Sequence, residues 1–209
     1  MVSIIDYGLG NLKSVKKALD FINVKSIITN DKCEIMESDA IILPGVGSFD
    51  QGMSNLENLD LIEFLSNEVL VRKKFFFGIC LGFQLMFEKS FENGLNYGLG
   101  WLKGDVIKIE SGHKVPHMGW NNIRMNNEEK YIDDLQRNYY FVHSYHVVPD
   151  DKSIITSYVY NGIDIVSSIK RENIFGTQFH PEKSQKAGLE LLTNFFRNVK
   201  EKSNSNTDF

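Results

Sequence analysis

The chain has 209 residues, 42% of them hydrophobic and 24% charged, with a formal net charge of −4 and a pI near 5.8. Such a length can bury a substantial core as one domain, and the acidic balance speaks against a nucleic-acid binder, which would carry a basic stripe. Two cysteines without C-x-x-C spacing, Cys33 and Cys80, argue against a disulfide framework or zinc site and for a reducing cytosol, and no run approaches the roughly 18 apolar residues of a membrane span.

Val2 to Tyr7 reads as a short apolar strand, with no basic n-region or long apolar stretch ahead of it, so no secretory signal is expected. Gly8-Leu9-Gly10-Asn11 reads as a turn, and Asn11 is placed to cap a helix whose apolar positions are Leu12, Val15, Leu19 and Ile22. The third glycine of a dinucleotide fingerprint is missing, so no nucleotide cofactor is expected, and nothing else points to a cofactor or metal. Lys25 to Thr29 and Ala40 to Leu43 read as further strands, the latter running into a glycine-rich loop, Pro44-Gly45-Val46-Gly47-Ser48-Phe49. Leu56 to Val71 carries helical periodicity and ends in Arg72-Lys73-Lys74.

Phe75 to Phe87 reads as a buried strand, a sharp turn holding Gly78-Ile79-Cys80-Leu81-Gly82, and a following helix. Strands alternating with helices to this point predict a doubly wound, mostly parallel sheet. After Asn93 the texture changes to short strands separated by turns, at 101–102, 106–109, 120–123, 139–143, 154–160 and 163–169, which predict an antiparallel extension. Phe175 to Glu182 reads as a strand ending in a loop, Lys186 to Val199 as a closing amphipathic helix, and 201–209 as a frayed polar tail. The expected organisation is an α/β fold forming one domain over 1–200.

The pattern G-x-C-x-G is the sulfur version of the strained elbow that presents a nucleophile between a strand and a helix. Glycines on either side permit close approach, and a helix N-terminus favours thiolate over thiol. A thiol nucleophile needs a base, and the base needs an orienting group. Of five histidines, His180 stands out: Pro181 forces the chain out of the sheet, and Glu182 can fold back onto the imidazole. Cys80, His180 and Glu182 form a candidate triad. The backbone N–H of Leu81 and the glycine-rich loop are candidate oxyanion donors. No catalytic role is expected for His113, His117 or His146.

Gly78-Ile79-Cys80-Leu81-Gly82-Phe83-Gln84 together with Gln178-Phe179-His180-Pro181-Glu182 resembles the two signatures of class I (triad) glutamine amidotransferases. Within that family, 5–11, 43–49, 116–121 and 140–145 are similar to the glutaminase subunits of imidazole glycerol phosphate synthase, of histidine biosynthesis. The resemblance spans residue 3 to about 197. It implies the class I amidotransferase fold and a soluble cytoplasmic enzyme. Cys80 would attack the side-chain amide of L-glutamine, with His180 as proton carrier and Glu182 as its orienter. Val46, Gly47 and Leu81 would form the oxyanion hole, and Gly45, Gln84, His143, Ser144 and Tyr145 would hold glutamine. Trp120, Asn121, Tyr140 and Lys183 would face a cyclase/synthase subunit of (β/α)8 barrel type in a heterodimer, to which ammonia passes.

Each residue also has a plainer reading: Trp120 as core, Lys183 as a solvated loop lysine, Tyr140 as sheet packing, His143 as a satisfied strand histidine. Phe83 and Met86 depart from the family's usual methionine and leucine without touching the triad. Gly98 to Trp101 and Val142 to Val148 look closer to a paralogous branch that supplies ammonia for acetamidino sugars of surface polysaccharide. A non-catalytic scaffold and a free-standing cysteine hydrolase of the same fold are further alternatives. The complete triad weighs against the scaffold. Gln84 and the partner-facing motifs weigh against the hydrolase.

Overall fold

A computed structural model describes all residues except 111, 113–114, 127–130, 133–137 and 206–209; His113 and the end of the tail therefore lie outside the described residues. The first half runs β1 (Val2–Ile5), α1 (Leu12–Phe21), β2 (Ser26–Thr29), α2 (Lys32–Glu37), β3 (Ala40–Gly45), α3 (Phe49–Asn58), α4 (Ile62–Ser66), β4 (Phe75–Cys80) and α5 (Leu81–Gln84). The second half runs β5 (Phe87–Ser90), β6 (Asn96–Tyr97), β7 (Leu102–Lys108), β8 (His117–Met125), β9 (Asn138–His143), β10 (Tyr145–Pro149), β11 (Ile155–Tyr160), β12 (Asp164–Arg171), β13 (Ile174–Thr177) and α6 (Gln185–Ser205). Among the described residues no helix is long and apolar enough to cross a membrane.

The main sheet has the order β2-β1-β3-β4-β13-β12-β11-β8-β9. The strands from β2 to β13 run parallel, and those from β12 to β9 are antiparallel to their neighbours. Both faces of the parallel half are covered, which is why its strands are continuous apolar runs. Successive residues alternate between two cores: Ile4, Ile42, Phe77 and Ile79 pack on the side of α1 and α6, and Ile5, Ile41, Leu43 and Phe76 on the side of α3 and α4. A smaller sheet, β10-β7-β5-β6, lies within the second core; the strand runs expected at 101–102 and 106–109 fall largely in β7, but nothing in the sequence separates them from the main sheet.

Asn11 caps α1 as expected, its side chain accepting from the Ser14 N–H. The stretch 56–71 is not one helix. α3 begins at Phe49 and closes at Asp60 (φ +52), where Asp60 N–H meets Glu57 O and Leu61 N–H meets Leu56 O. These are the paired bonds of a left-handed helix end, taken here by Asp because its short polar side chain tolerates that region. α4 then restarts and widens into a π turn over Asn67–Val71. The helix expected through Phe87 stops after Gln84, because 87–90 pair with β7 and β6 in the smaller sheet. α2 is an element the sequence reading lacks, although Asp31 marks it by accepting from Cys33 and Glu34 N–H. At the other end, α6 continues through 201–205, so that part of the polar tail is helical.

Candidate active site

Cys80 ends β4 with φ +53 and ψ −106, a conformation that L side chains rarely adopt and that costs of order 1–3 kcal/mol. The flanking glycines do not carry that strain; they serve close approach. A Cβ on Gly82 would run into Leu43 O, and one on Gly78 would lie 2.7 Å from Gly82 O. The single turn of α5 is therefore pressed onto β3 and β4. With only four residues, α5 presents a weak dipole to the thiol, and the helix expected up to Phe87 is shorter than the sequence suggests.

His180 leaves the end of β13 and caps the short turn Pro181–Lys183. Its N–H donates to Tyr140 O at 2.9 Å, and its carbonyl accepts from Ser184 Oγ at 2.6 Å, so both sides of its backbone are fixed. Glu182 folds back as the sequence suggests: its Oε1 is 2.8 Å from His180 Nδ1, and both side chains are 2% exposed. His180 Nε2 and Glu182 Oε2 are buried without a hydrogen-bond partner. Burial opposes charge on His180, but Cys80 and Glu182 outweigh it and push the imidazole up to about 10. Buried polar atoms left unpaired in a native fold call for a reason, and here they belong to a histidine and carboxylate that interact with each other and with Cys80.

A cavity of about 310 Å³ is lined by Val46, Gly47, Cys80, Leu81, Gln84, Glu92, Pro116, Val142, His143, Ser144 and Tyr145. Gly45 is the register partner of Cys80, so the loop of Val46 and Gly47 leaves the sheet beside the nucleophile, at the carboxyl ends of the strands. Both amide hydrogens of Gln84 are held, by Tyr145 O and Gln178 Oε1, each at 3.0 Å. Gln178 Nε2 in turn lies 3.7 Å from Cys80 Sγ. His143 bonds Tyr145 O through Nδ1 at 2.9 Å, and its Nε2 meets His117 Nδ1 at 2.8 Å. Burial, with His117, His146 and His180 nearby, pulls His143 down to about 3 despite the bond to Tyr145. A larger hollow of about 560 Å³ lies at the opposite strand ends around Lys73, Lys74, Phe75 and Glu172; among the described residues it has no cysteine, serine or histidine in its lining, and Lys73 is paired there with Glu172.

Residues 3–199 match the family described as glutamine amidotransferase class-I. The chain belongs to this family. It is 47% identical over 197 residues to the imidazole glycerol phosphate synthase subunit HisH of Aquifex aeolicus, covering 93% of this chain and 95% of that one. It is 43% identical over 206 residues to the protein of the same name from Moorella thermoacetica, covering 98% of each. Solved structures share the fold at low identity. PurLQS from Thermotoga maritima superposes with TM-score 0.73 at 16% identity, covering 95% of this chain and 98% of that one. A glutamine amidotransferase from Thermotoga maritima gives 0.61 at 16%, covering 97% and 84%.

In this amidotransferase the expected partner-facing residues do not form one patch. Trp120 and Tyr140 are register partners with rings 6.0 Å apart, and Lys183 Nζ stands 5.8 Å from the Tyr140 ring. Trp120 is 44% exposed, so it is not a core residue. Asn121 projects to the other face of β8, where its Nδ2 contacts His117 Nε2 at 2.7 Å. The plainer reading of His143, a satisfied strand histidine, holds together with its place in the cavity wall.

Four residues of the site escape the sequence reading. Gln178 stands in a signature motif without a role of its own, although the period-two strand pattern puts it on the chain beside His180. Glu92, which accepts from Phe49 N–H at 2.8 Å, supplies the cavity's one carboxylate among the described residues. Its approach through the smaller sheet leaves no local signal. Tyr7 reads only as a strand end. Its hydroxyl is buried without a partner, against Gly45, and burial and Cys80 both raise its pKa. His117, with no expected catalytic role, contacts His143.

Proposed function

We propose that this chain is the glutaminase subunit of an imidazole glycerol phosphate synthase. One observation carries the reading: a strained cysteine in the cavity wall interacts with a buried His–Glu pair, in a chain 42–47% identical to subunits of that name. The domain would span 1–200 and act as one unit.

The chemistry follows from the groups present. Glutamine enters with its side-chain amide against Cys80. Glu92, the only carboxylate among the described residues of the wall, suits the substrate's α-ammonium. His180, raised to about 10 by Cys80 and Glu182, already holds the Cys80 proton at Nε2, and Sγ attacks the amide carbon as thiolate. Glu182 stabilises the imidazolium, which is why the raised basicity of His180 matters. The oxyanion takes the Leu81 N–H and donors from Val46 and Gly47. His180 returns the proton to the leaving nitrogen, and ammonia departs. Water, deprotonated by His180, cleaves the γ-glutamyl thioester to glutamate.

Ammonia then leaves towards Trp120, Tyr140 and Lys183, the contiguous aromatic and cationic cluster that would meet a synthase subunit of (β/α)8 barrel type. The acetamidino-sugar branch would share every step at Cys80. The relatives at 42–47% identity carry the synthase name, which favours the histidine pathway. The test is glutaminase activity with and without the cyclase partner and its ligand. Low activity alone and a large stimulation in the complex are expected. Lack of stimulation by the cyclase, with stimulation by a sugar amidotransferase, would move the chain to the other branch.

A further inference from the structure

A single chain of hydrogen bonds joins β8 to the glutamine pocket, and its polarity is fixed from one end. Tyr145 O can only accept, so His143 Nδ1 carries the hydrogen of their 2.9 Å bond. A buried neutral imidazole carries one hydrogen, so His143 Nε2 is an acceptor. His117 Nδ1 must then donate across 2.8 Å. His117 Nε2 is left to accept from Asn121 Nδ2 at 2.7 Å. Every link points the same way, from Asn121 through His117 and His143 to Tyr145 O. That carbonyl also receives Gln84, whose second amide hydrogen goes to Gln178, which reaches Cys80 Sγ.

We propose that Asn121 and His117 are positioning residues of the glutamine site. They hold His143 in the Nδ1–H tautomer, and that tautomer sets the Tyr145 carbonyl and the Gln84 amide against which glutamine binds. The opposite tautomer of His143 would place a bare nitrogen against a carbonyl oxygen, two acceptors face to face. Tyr145 would turn away, and Gln84 would lose one of its two anchors. His117 also stacks on Phe141, with ring centroids 4.8 Å apart, so a ring at this position keeps that packing when the two bonds are removed. β8 carries Asn121 next to exposed Trp120, so the chain starts beside the face assigned to the partner. This inference rests on the reading of the cavity as a glutamine site.

The test uses the full chain in complex with its cyclase partner. His117→Phe keeps the ring and removes both bonds. His117→Asn keeps a donor near the Nδ1 position. For His117→Phe, KM for glutamine should rise about tenfold with kcat changed by less than about threefold, the scale of one lost buried hydrogen bond. His117→Asn should restore KM to within about threefold of wild type. Ring 15N spectra should show His143 as Nδ1–H in wild type and His117→Asn, and as a mixture in His117→Phe. Unchanged KM and an unchanged His143 tautomer in His117→Phe would overturn the proposal, as would His117→Asn behaving like His117→Phe. The 15N readout does not depend on turnover. A wild-type chain that hydrolyses no glutamine therefore defeats the functional reading alone, while a wild-type His143 protonated at Nε2 defeats the relay alone.

Discussion

Gly45 and Cys80 are register partners at the ends of two parallel strands, and the space over Gly45 is filled by the Tyr7 hydroxyl. A Cβ at Gly45 would run into Tyr7 Oη and stand 2.8 Å from Leu81 Cβ. Gly45→Ala is expected to destabilise the fold by about 1–3 kcal/mol and to depress glutaminase activity, because the nucleophile's neighbour must move. Adding Tyr7→Phe removes the nearer obstacle and should recover part of both losses. Denaturant unfolding and initial rates check this; equal stability of Gly45→Ala and wild type would remove the close-approach argument.

Cys80→Ala should abolish glutamine-dependent synthesis in the complex and leave synthesis from added ammonia intact. Glu182→Gln keeps the contact to His180 Nδ1 but removes the charge that favours the imidazolium, and kcat is expected to fall by about 10²–10⁴-fold. A kcat within threefold of wild type would show that Glu182 is only a structural partner.

Stability should peak near neutral pH, with different histidines limiting each side. His180 is raised from 6.5 to about 10, so the folded state holds a proton that the unfolded chain has lost over that window. Its contribution is complete below 6.5 and fades as pH rises towards 10. His143 is lowered from 6.5 to about 3, and burial also lowers His146. There the unfolded chain gains protons first, so stability falls as pH drops below 6.5. Each site contributes a slope of about 1.4 kcal/mol per pH unit within its window. Urea midpoints across pH should show His180→Gln flattening the alkaline side and His143→Gln the acid side; the reverse assignment would contradict these shifts.

Away from the site, Glu68 is 1% exposed and Lys74 9%, with Nζ 3.2 Å from Glu68 Oε2. Lys74 also donates to Ile35 O and Met36 O at 2.7 and 2.8 Å. Lys74→Met should cost about 3–5 kcal/mol, since it leaves a buried carboxylate beside only the half-exposed Arg72. Glu68→Leu combined with Lys74→Met should cost less than Lys74→Met alone. If the double variant is the less stable, the pair is held for reasons other than charge.

Residues that act through their own stretch of chain are legible in the sequence. The apolar runs of β1, β3 and β4, the cap at Asn11, the Cys80 elbow and the return of Glu182 onto His180 are each set within a few residues, by side-chain period, cap chemistry or the block at Pro181. The same locality misleads at 56–71 and 83–87. There the helical period is real, but a left-handed Asp60 and pairing in the smaller sheet override it.

The sequence by itself therefore determined the doubly wound half, the elbow at Cys80, the return of Glu182 onto His180, and the family. Tertiary structure decided what surrounds them. Glu92 reaches the cavity from the turn after β5, Tyr7 closes over Gly45 from the bend after β1, and Asn121 turns away from Trp120 to reach His117. Most of these contacts join segments far apart in sequence. Neither propensity nor periodicity encodes them, because each depends on which faces the completed sheets bring together.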